Sequence, residues 1–251
     1  MTIALPAGFS LVDLETTTST NDEALARARD GAPEGTMVLA RRQTSGRGRR
    51  GRSYISTPGN LFVSLILRPD MAPDLAALSG FAASLAIAET IDDVAPDVPL
   101  ATCKWPNDVL VDGKKVGAIL IEASSTQGVV DSLVVGMGVN LTAHPEIADY
   151  PAGDLAALGA PGLTPDRFLE RLTIHLDRWL KVWRRDGMAG LREAWLARAA
   201  GLGKPIQVRL EDTSFCGLFR DLDLDGALLL DMDGGECRKV TAGAVFFPEA
   251  A

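Results

Sequence analysis

The chain has 251 residues, 47% apolar and 23% charged, enough for one large domain or a medium domain with a small one, and for a core that needs neither disulfide nor metal. Three scattered cysteines (Cys103, Cys216, Cys237) with no C-x-x-C spacing, and two histidines (His144, His175), argue against a zinc site or disulfide framework and leave little material for a Ser/His/Asp triad. The net charge is −8, yet Arg41, Arg42, Arg47, Arg49, Arg50 and Arg52 crowd positions 41–52 without an acid; one basic island in an acidic chain suits a small anion better than a nucleic-acid face.

The N-terminal stretch MTIALPAGFSLVDLE lacks a basic region leading into a long apolar run, and no apolar stretch reads as a membrane span. A cytoplasmic, reduced setting is expected. A helix is predicted over 20–28, with Thr20 as cap and Glu23 at capping-box spacing. Pro33 and Gly35 end it, and 37–40 reads as a short strand. The segment GRGRRGR, 46–52, follows as a loop. Residues 60–68, NLFVSLILR, are apolar at nearly every position, as in a strand covered on both faces. Leu75, Leu78, Ala82, Leu85 and Ala86 predict a buried helix over 74–94.

Residues 100–140 read as a meander of strands at 100–105, 108–111, 115–123 and 130–140. The Asp112-Gly113 turn predicts Val111 opposite Lys114, Leu110 opposite Lys115 and Asp108 opposite Gly117, with Asp108, Lys115 and Gly117 on one face. Thr164 and Pro165 open a helix over 165–185 whose stripe is Phe168, Leu172, Leu176, Trp179 and Trp183. Asp186-Gly187 breaks it before a second helix at 188–200. Beyond Lys204, short strand-like runs at 206–210, 215–220, 227–232 and 237–240 predict a small barrel. The domain boundary is expected near 201–204.

In GRGRRGR the glycines let the backbone approach an oxyanion, and the arginines supply forked, permanent charge. Such a loop can close over a ligand. It is not a Walker sequence, since no Gly-Lys-Ser/Thr follows. Ser19, Thr20 and Asn21 read singly as a helix cap, although a helix N-terminus also offers N–H groups to a ligand. In KWPND, 104–108, Trp105 reads as core and Lys104 as a surface lysine; Lys115 is an ordinary hairpin lysine unless Asp108 gives it a role. GMGVN, 136–140, reads either as close packing or as room for a flat base beside Asn140.

The order and spacing of TTSTN, QTSGRGRRGR, PGNLFVSLIL, KWPNDVLVDGKKVGAILIE and VVGMGVNL, with GKPIQVRL after them, resemble the biotin–protein ligase family over essentially the whole chain. The resemblance implies an α+β fold: a mixed, largely antiparallel sheet packed with helices, of the class II synthetase-like biotin–lipoate ligase type. It adds a small C-terminal SH3-like β-barrel, with a ligase domain at 1–201 and the barrel at 202–251. It implies a ligase forming a C–N bond, with ATP, biotin and Mg²⁺. Biotin would be activated to biotinyl-5′-AMP and passed to a lysine of a biotin carboxyl carrier protein or domain, as in acetyl-CoA carboxylase and other biotin-dependent carboxylases.

By motif, the resemblance places Ser19, Thr20, Asn21, Gln43, Arg47, Gly48, Arg49 and Lys115 at biotin. Lys115, Arg47 and Arg49 carry the catalytic charge. Gly46, Arg50, Arg52, Tyr54, Trp105, Asn107, Asp108 and Asn140 fall near ATP or the adenylate, and no fixed metal site is implied. Tyr54 stands where the family often has Trp. The motif starts by Thr17, which leaves no room for the helix-turn-helix domain of some members, so DNA is not an expected partner; nor is a membrane, for want of a long apolar stretch, and a homodimer is compatible with the reading. A lipoate or octanoyl transferase of the same fold is the alternative, and a nucleic-acid-binding module a distant one.

Overall fold

The computed structural model describes residues 3–51, 54–146 and 150–247, and of Arg50 the backbone only. Seven strands form one mixed sheet: β1 (Ser10–Thr17), β2 (Thr36–Gln43), β3 (Leu61–Leu67), β4 (Thr102–Lys104), β5 (Asp108–Val111), β6 (Lys114–Thr126) and β7 (Val129–Val139), in the order β1-β2-β3-β7-β6-β5-β4. Among the described strands of this sheet β1 and β2 alone pair in parallel, with helix α1 (Thr20–Arg29) connecting them as a crossover; the remaining neighbours are antiparallel. Strand β1 was not among the expected elements.

Strand β3 is buried along its whole length, and its alternation sorts the molecule into layers. Leu61, Val63, Leu65 and Leu67 join the main core with α2 (Pro73–Ala77), α3 (Ser79–Val94) and α4 (Pro165–Ala197). On the opposite face Ile66 packs with Ala24, Ala28, Val38 and Val134 beneath α1. The segment Pro73–Val94 is in fact long and apolar enough to cross a membrane, contrary to the sequence expectation, but 78% of its apolar window is buried within the protein, the situation of a core helix.

Helix α4 is two helices joined at Gly187 (φ 59°, ψ −142°), the break that Asp186-Gly187 predicts. Its second part ends at Ala197, three residues short of the expected 200. Thr164 accepts the capping bond from Arg167 N at 3.3 Å. At α1 the expected capping box does not form: Ser19, not Thr20, is the N-cap, its side chain makes no capping bond, and Glu23 pairs with Arg27.

The hairpin β5–β6 keeps Val111 opposite Lys114 and Leu110 opposite Lys115, but a bulge then sets Val109 against Gly117 and Asp108 against Ala118. The expected Asp108–Gly117 pair is therefore wrong by one residue. Val116 is the extra residue, because β6 changes partners there: Lys115 N donates to Pro151 O, Gly153 N to Lys115 O, and Asn140 N to Val116 O. A Cβ on Gly117 would lie 3.5 Å from Ile87 of α3, so Gly117 faces the core and not the face of Asp108 and Lys115.

The C-terminal strands β8 (Pro205–Arg209), β9 (Ser214–Leu222), β10 (Leu228–Asp231), β11 (Cys237–Val240) and β12 (Ala244–Phe246) form an antiparallel sheet in the order β11-β10-β9-β8-β12. This is the expected small SH3-like domain; among the described residues no pairing joins β11 to β12, so its five-stranded sheet has no closing ladder. Strand β12, three residues long, was not predicted.

Candidate active site

A pocket opens on the sheet face opposite α3, where Phe62 of β3, Gly136 and Gly138 of β7, and Ala118 and Leu120 of β6 form a floor. Ser19, Thr20 and Asn21 enter from α1, Arg47, Gly48 and Arg49 from the arginine loop, and residues 104–108 from the β4–β5 turn. Tyr150 and β12 complete the wall.

One side is a hydrogen-bonded polar chain. Gln43 Oε1 accepts from Thr20 N at 2.8 Å and Thr20 Oγ1 at 3.1 Å, and Gln43 Nε2 donates to Ser56 Oγ at 2.9 Å. Ser64 Oγ lies 2.8 Å from Thr20 Oγ1 and 2.6 Å from Asn21 Oδ1. The loop reaches over this wall. Arg47 Nη2 contacts Asp22 at 2.5 Å and Glu122 at 2.8 Å, while Arg49 Nη1 donates to Asn107 Oδ1 at 2.9 Å. A single 3₁₀ turn, Arg49–Gly51, gives the loop local structure.

The other side is cationic. Asp108 accepts Lys115 Nζ on Oδ1 at 2.5 Å and faces Lys104 Nζ from Oδ2 at 3.3 Å. Two ammonium groups share one carboxylate, leaving a net positive charge of about one in a mostly buried place, where an anion gains more than it would in water. Burial holds the Lys104 pKa below its ordinary range, with the charge of Lys115 adding to the effect and Asp108 opposing it. The ring of Tyr150 lies 5.0 Å from Lys115 Nζ and 5.4 Å from Lys104 Nζ, and that of Phe246 lies 5.8 Å from Lys104 Nζ. Cations on the sheet and on the loop can together neutralise a carboxylate and a phosphate brought into contact.

The sequence pattern of the biotin/lipoate A/B protein ligase family matches residues 14–140, and that of the biotin protein ligase C-terminal domain matches residues 201–247. A biotin–[acetyl-CoA-carboxylase] ligase of Paracoccus denitrificans is 38% identical over 239 residues, covering 93% of this chain and 99% of that one. The chain belongs to the biotin–protein ligase family. Among solved structures of that family, an arginine-to-glycine variant of Aquifex aeolicus biotin protein ligase in complex with biotin superposes with a TM-score of 0.77 at 25% identity, over 94% of this chain and 97% of that one. The Leishmania major biotin protein ligase in complex with biotinyl-5-AMP gives 0.60 at 25% identity, over 94% and 100%.

Of the residues singled out from sequence, Ser19, Thr20, Asn21, Gln43, Arg47, Gly48, Arg49, Tyr54, Trp105, Asn107, Asp108 and Lys115 line this pocket together. Gly46 and Asn140 lie outside its lining. Gly46 O accepts from Tyr54 N at 2.8 Å, fastening the base of the loop. Asn140 Nδ2 donates to Gly153 O at 3.0 Å, so its amide holds the segment that pairs with Lys115. Arg52 and the side chain of Arg50 lie outside the described residues. Trp105 is buried, and its Nε1 donates to Gly226 O at 3.0 Å, tying the KWPND turn to the C-terminal sheet.

The glycines of GMGVN make room for protein side chains. A Cβ on Gly136 would sit 2.1 Å from Asn21 Oδ1, and one on Gly138 would sit 2.5 Å from the Tyr54 hydroxyl. Tyr54 stacks edge-on against Phe62 at 6.1 Å, and burial pushes its phenol well above the usual range. Lys104, read singly as a surface lysine, is buried. Sequence reasoning missed Tyr150 and Phe246, whose loop and short strand carry no motif. Among the described residues no three His, Cys, Asp or Glu side chains cluster as a metal site.

Proposed function

We propose that this chain activates biotin with MgATP to biotinyl-5′-AMP and transfers the biotinyl group to a lysine of a biotin carboxyl carrier protein of the acetyl-CoA carboxylase type. The observation that carries the reading is the cation pair Lys104 and Lys115 on Asp108, set across one pocket from the polar wall of Thr20, Asn21 and Gln43. An oxygen of the biotin carboxylate attacks the α-phosphorus, and pyrophosphate leaves with its bonding pair. Lys115 lies against both anions and offsets their repulsion, while Arg47 and Arg49 add charge from the loop. In the second step the carrier lysine, having lost its proton, attacks the carbonyl carbon and AMP departs.

Ser19, Thr20, Asn21, Gln43 and Gly48 contact biotin in this reading; Tyr54, Trp105, Asn107 and Asp108 lie towards the adenylate. Mg²⁺ arrives with ATP, since the pocket's Asp108 is already engaged by two lysines. Residues 1–201 act as the ligase unit and 202–251 as a second unit that closes the pocket, and the reaction takes place in the cytoplasm, where ATP is available. The test is biotin-dependent exchange of pyrophosphate into ATP, then mass spectrometry of a carrier domain incubated with the protein, ATP, Mg²⁺ and biotin. One added biotinyl group is the expected result; activity with lipoate and none with biotin would overturn the reading.

A further inference from the structure

Glu122 is not part of the pocket lining, yet it touches two residues that are. It stands on β6 two positions beyond Leu120, so the alternation of the strand puts it on the same face as the floor. Its Oε2 accepts from Asn21 Nδ2 at 2.8 Å and from Arg47 Nη2 at 2.8 Å. One carboxylate oxygen thus joins a wall residue on α1 to an arginine of the loop.

The contact with Asn21 fixes which way its amide points. Asn21 Oδ1 faces the Ser64 hydroxyl at 2.6 Å, while Nδ2 faces Glu122 and the Leu120 carbonyl. A flipped amide would turn its oxygen toward two acceptors, one of them charged. Arg47 is the other half of the link. Its Nη2 is shared between Glu122 and Asp22, so acids on a strand and on a helix pull the loop toward the pocket. Glycines on both sides of Arg47 give the backbone there little stiffness of its own, so these ion pairs add to the Gly46–Tyr54 and Arg49–Asn107 bonds that hold the loop.

We infer that Glu122 is a positioning residue that couples the polar wall to the arginine loop, orienting Asn21 toward biotin and holding Arg47 over the reaction intermediate. The inference rests on the biotin-ligase reading of the same pocket. Its two functions are separable by substitution. Glu122→Gln keeps an oxygen to accept from Asn21 and loses the charge that holds Arg47; Glu122→Leu loses both.

The experiment measures the biotin Kd by calorimetry and the release rate of preformed biotinyl-AMP for the wild type, both variants, Arg47→Ala and the Glu122→Gln/Arg47→Ala double variant, with thermal unfolding as the check of folding. Glu122→Gln should leave the biotin Kd within about threefold and speed release about fivefold or more, mostly through the dissociation rate. Glu122→Leu should also weaken biotin about tenfold. The double variant should release the adenylate no faster than Arg47→Ala alone, because the two changes remove one interaction. Multiplying effects, unchanged release by Glu122→Gln, or unchanged biotin affinity of folded Glu122→Leu would each overturn the inference while the enzyme reading stands. A wild-type chain that binds no biotin would sink both.

Discussion

Lys115 Nζ sits 2.5 Å from Asp108 Oδ1 across a strand pair whose register slips by one residue between them. The bulge at Val116 lets β6 hold Lys115 by both its backbone groups, to Pro151 and Gly153, while its side chain stays with Asp108. A cation held in this way has little freedom left to lose against a bound anion. Lys115→Ala should reduce adenylate formation by about 10²–10³-fold with the fold retained. Single-turnover formation of biotinyl-AMP beside a circular dichroism melt is the measurement; near-wild-type adenylation would remove Lys115 from its assigned role.

Asp108 is the shared partner of two lysines. Asp108→Asn leaves both ammonium groups facing each other with no charge between them, and should destabilise the protein by about 1–3 kcal/mol. Replacing Lys104 with Met in the same chain should recover part of that loss. Urea unfolding of the single and double variants measures the coupling, and strictly additive effects would show that the three groups do not act as a unit.

Lys104 also gives the protein a signature in alkaline solution. Its pKa in the folded protein is lowered from 10.5, with burial the largest cause. Between that lowered value and 10.5 the unfolded chain binds more protons than the folded one, so this residue makes stability rise with pH across the interval. Lys104→Met should flatten the rise. Denaturant midpoints from neutral pH to 10.5 would expose an unchanged slope and defeat the argument.

Gly136 and Gly138 admit Asn21 and Tyr54. Gly136→Ala displaces Asn21 and should raise the KM for biotin about tenfold, about 1.4 kcal/mol of binding. Gly138→Ala meets the Tyr54 hydroxyl first, so pairing it with Tyr54→Phe should restore part of any lost activity. Steady-state kinetics on purified variants decide; a Gly136→Ala enzyme with normal KM would mean that Asn21 does not orient biotin.

Arg47→Ala and Arg49→Ala should each speed the loss of biotinyl-AMP about tenfold, acting on dissociation more than on association. Release is followed after isolating the complex. A wild-type rate from both variants would count against the loop as a lid.

The sheet was legible where pattern and chemistry agreed. The continuous apolar run of β3, the Asp-Gly hairpin and the Gly187 break follow from local rules and appear in the structure. The bulge at Val116 did not, because it answers to the distant segment 151–153, which no local pattern on β6 records. Strand β1 was passed over because its burial is broken and its partner is parallel, reached only through α1. The pocket was readable from motifs as far as those motifs ran; Tyr150 and Phe246 reach it by tertiary packing. Lys104 was misjudged because a lysine in isolation belongs to the surface, and only the shared carboxylate explains its burial.

The indole of Trp105, within the KWPND turn, donates to Gly226, and strand β12 supplies the last stretch of pocket wall. On the ribosome the chain emerges from its N-terminus, so the arginine loop and Lys115 leave the exit tunnel long before Gly226 and Phe246. During synthesis those charged residues are therefore present before the residues that complete the pocket wall. The pocket wall is therefore complete only once the last of the described strands has been made, whatever the order in which the other elements fold.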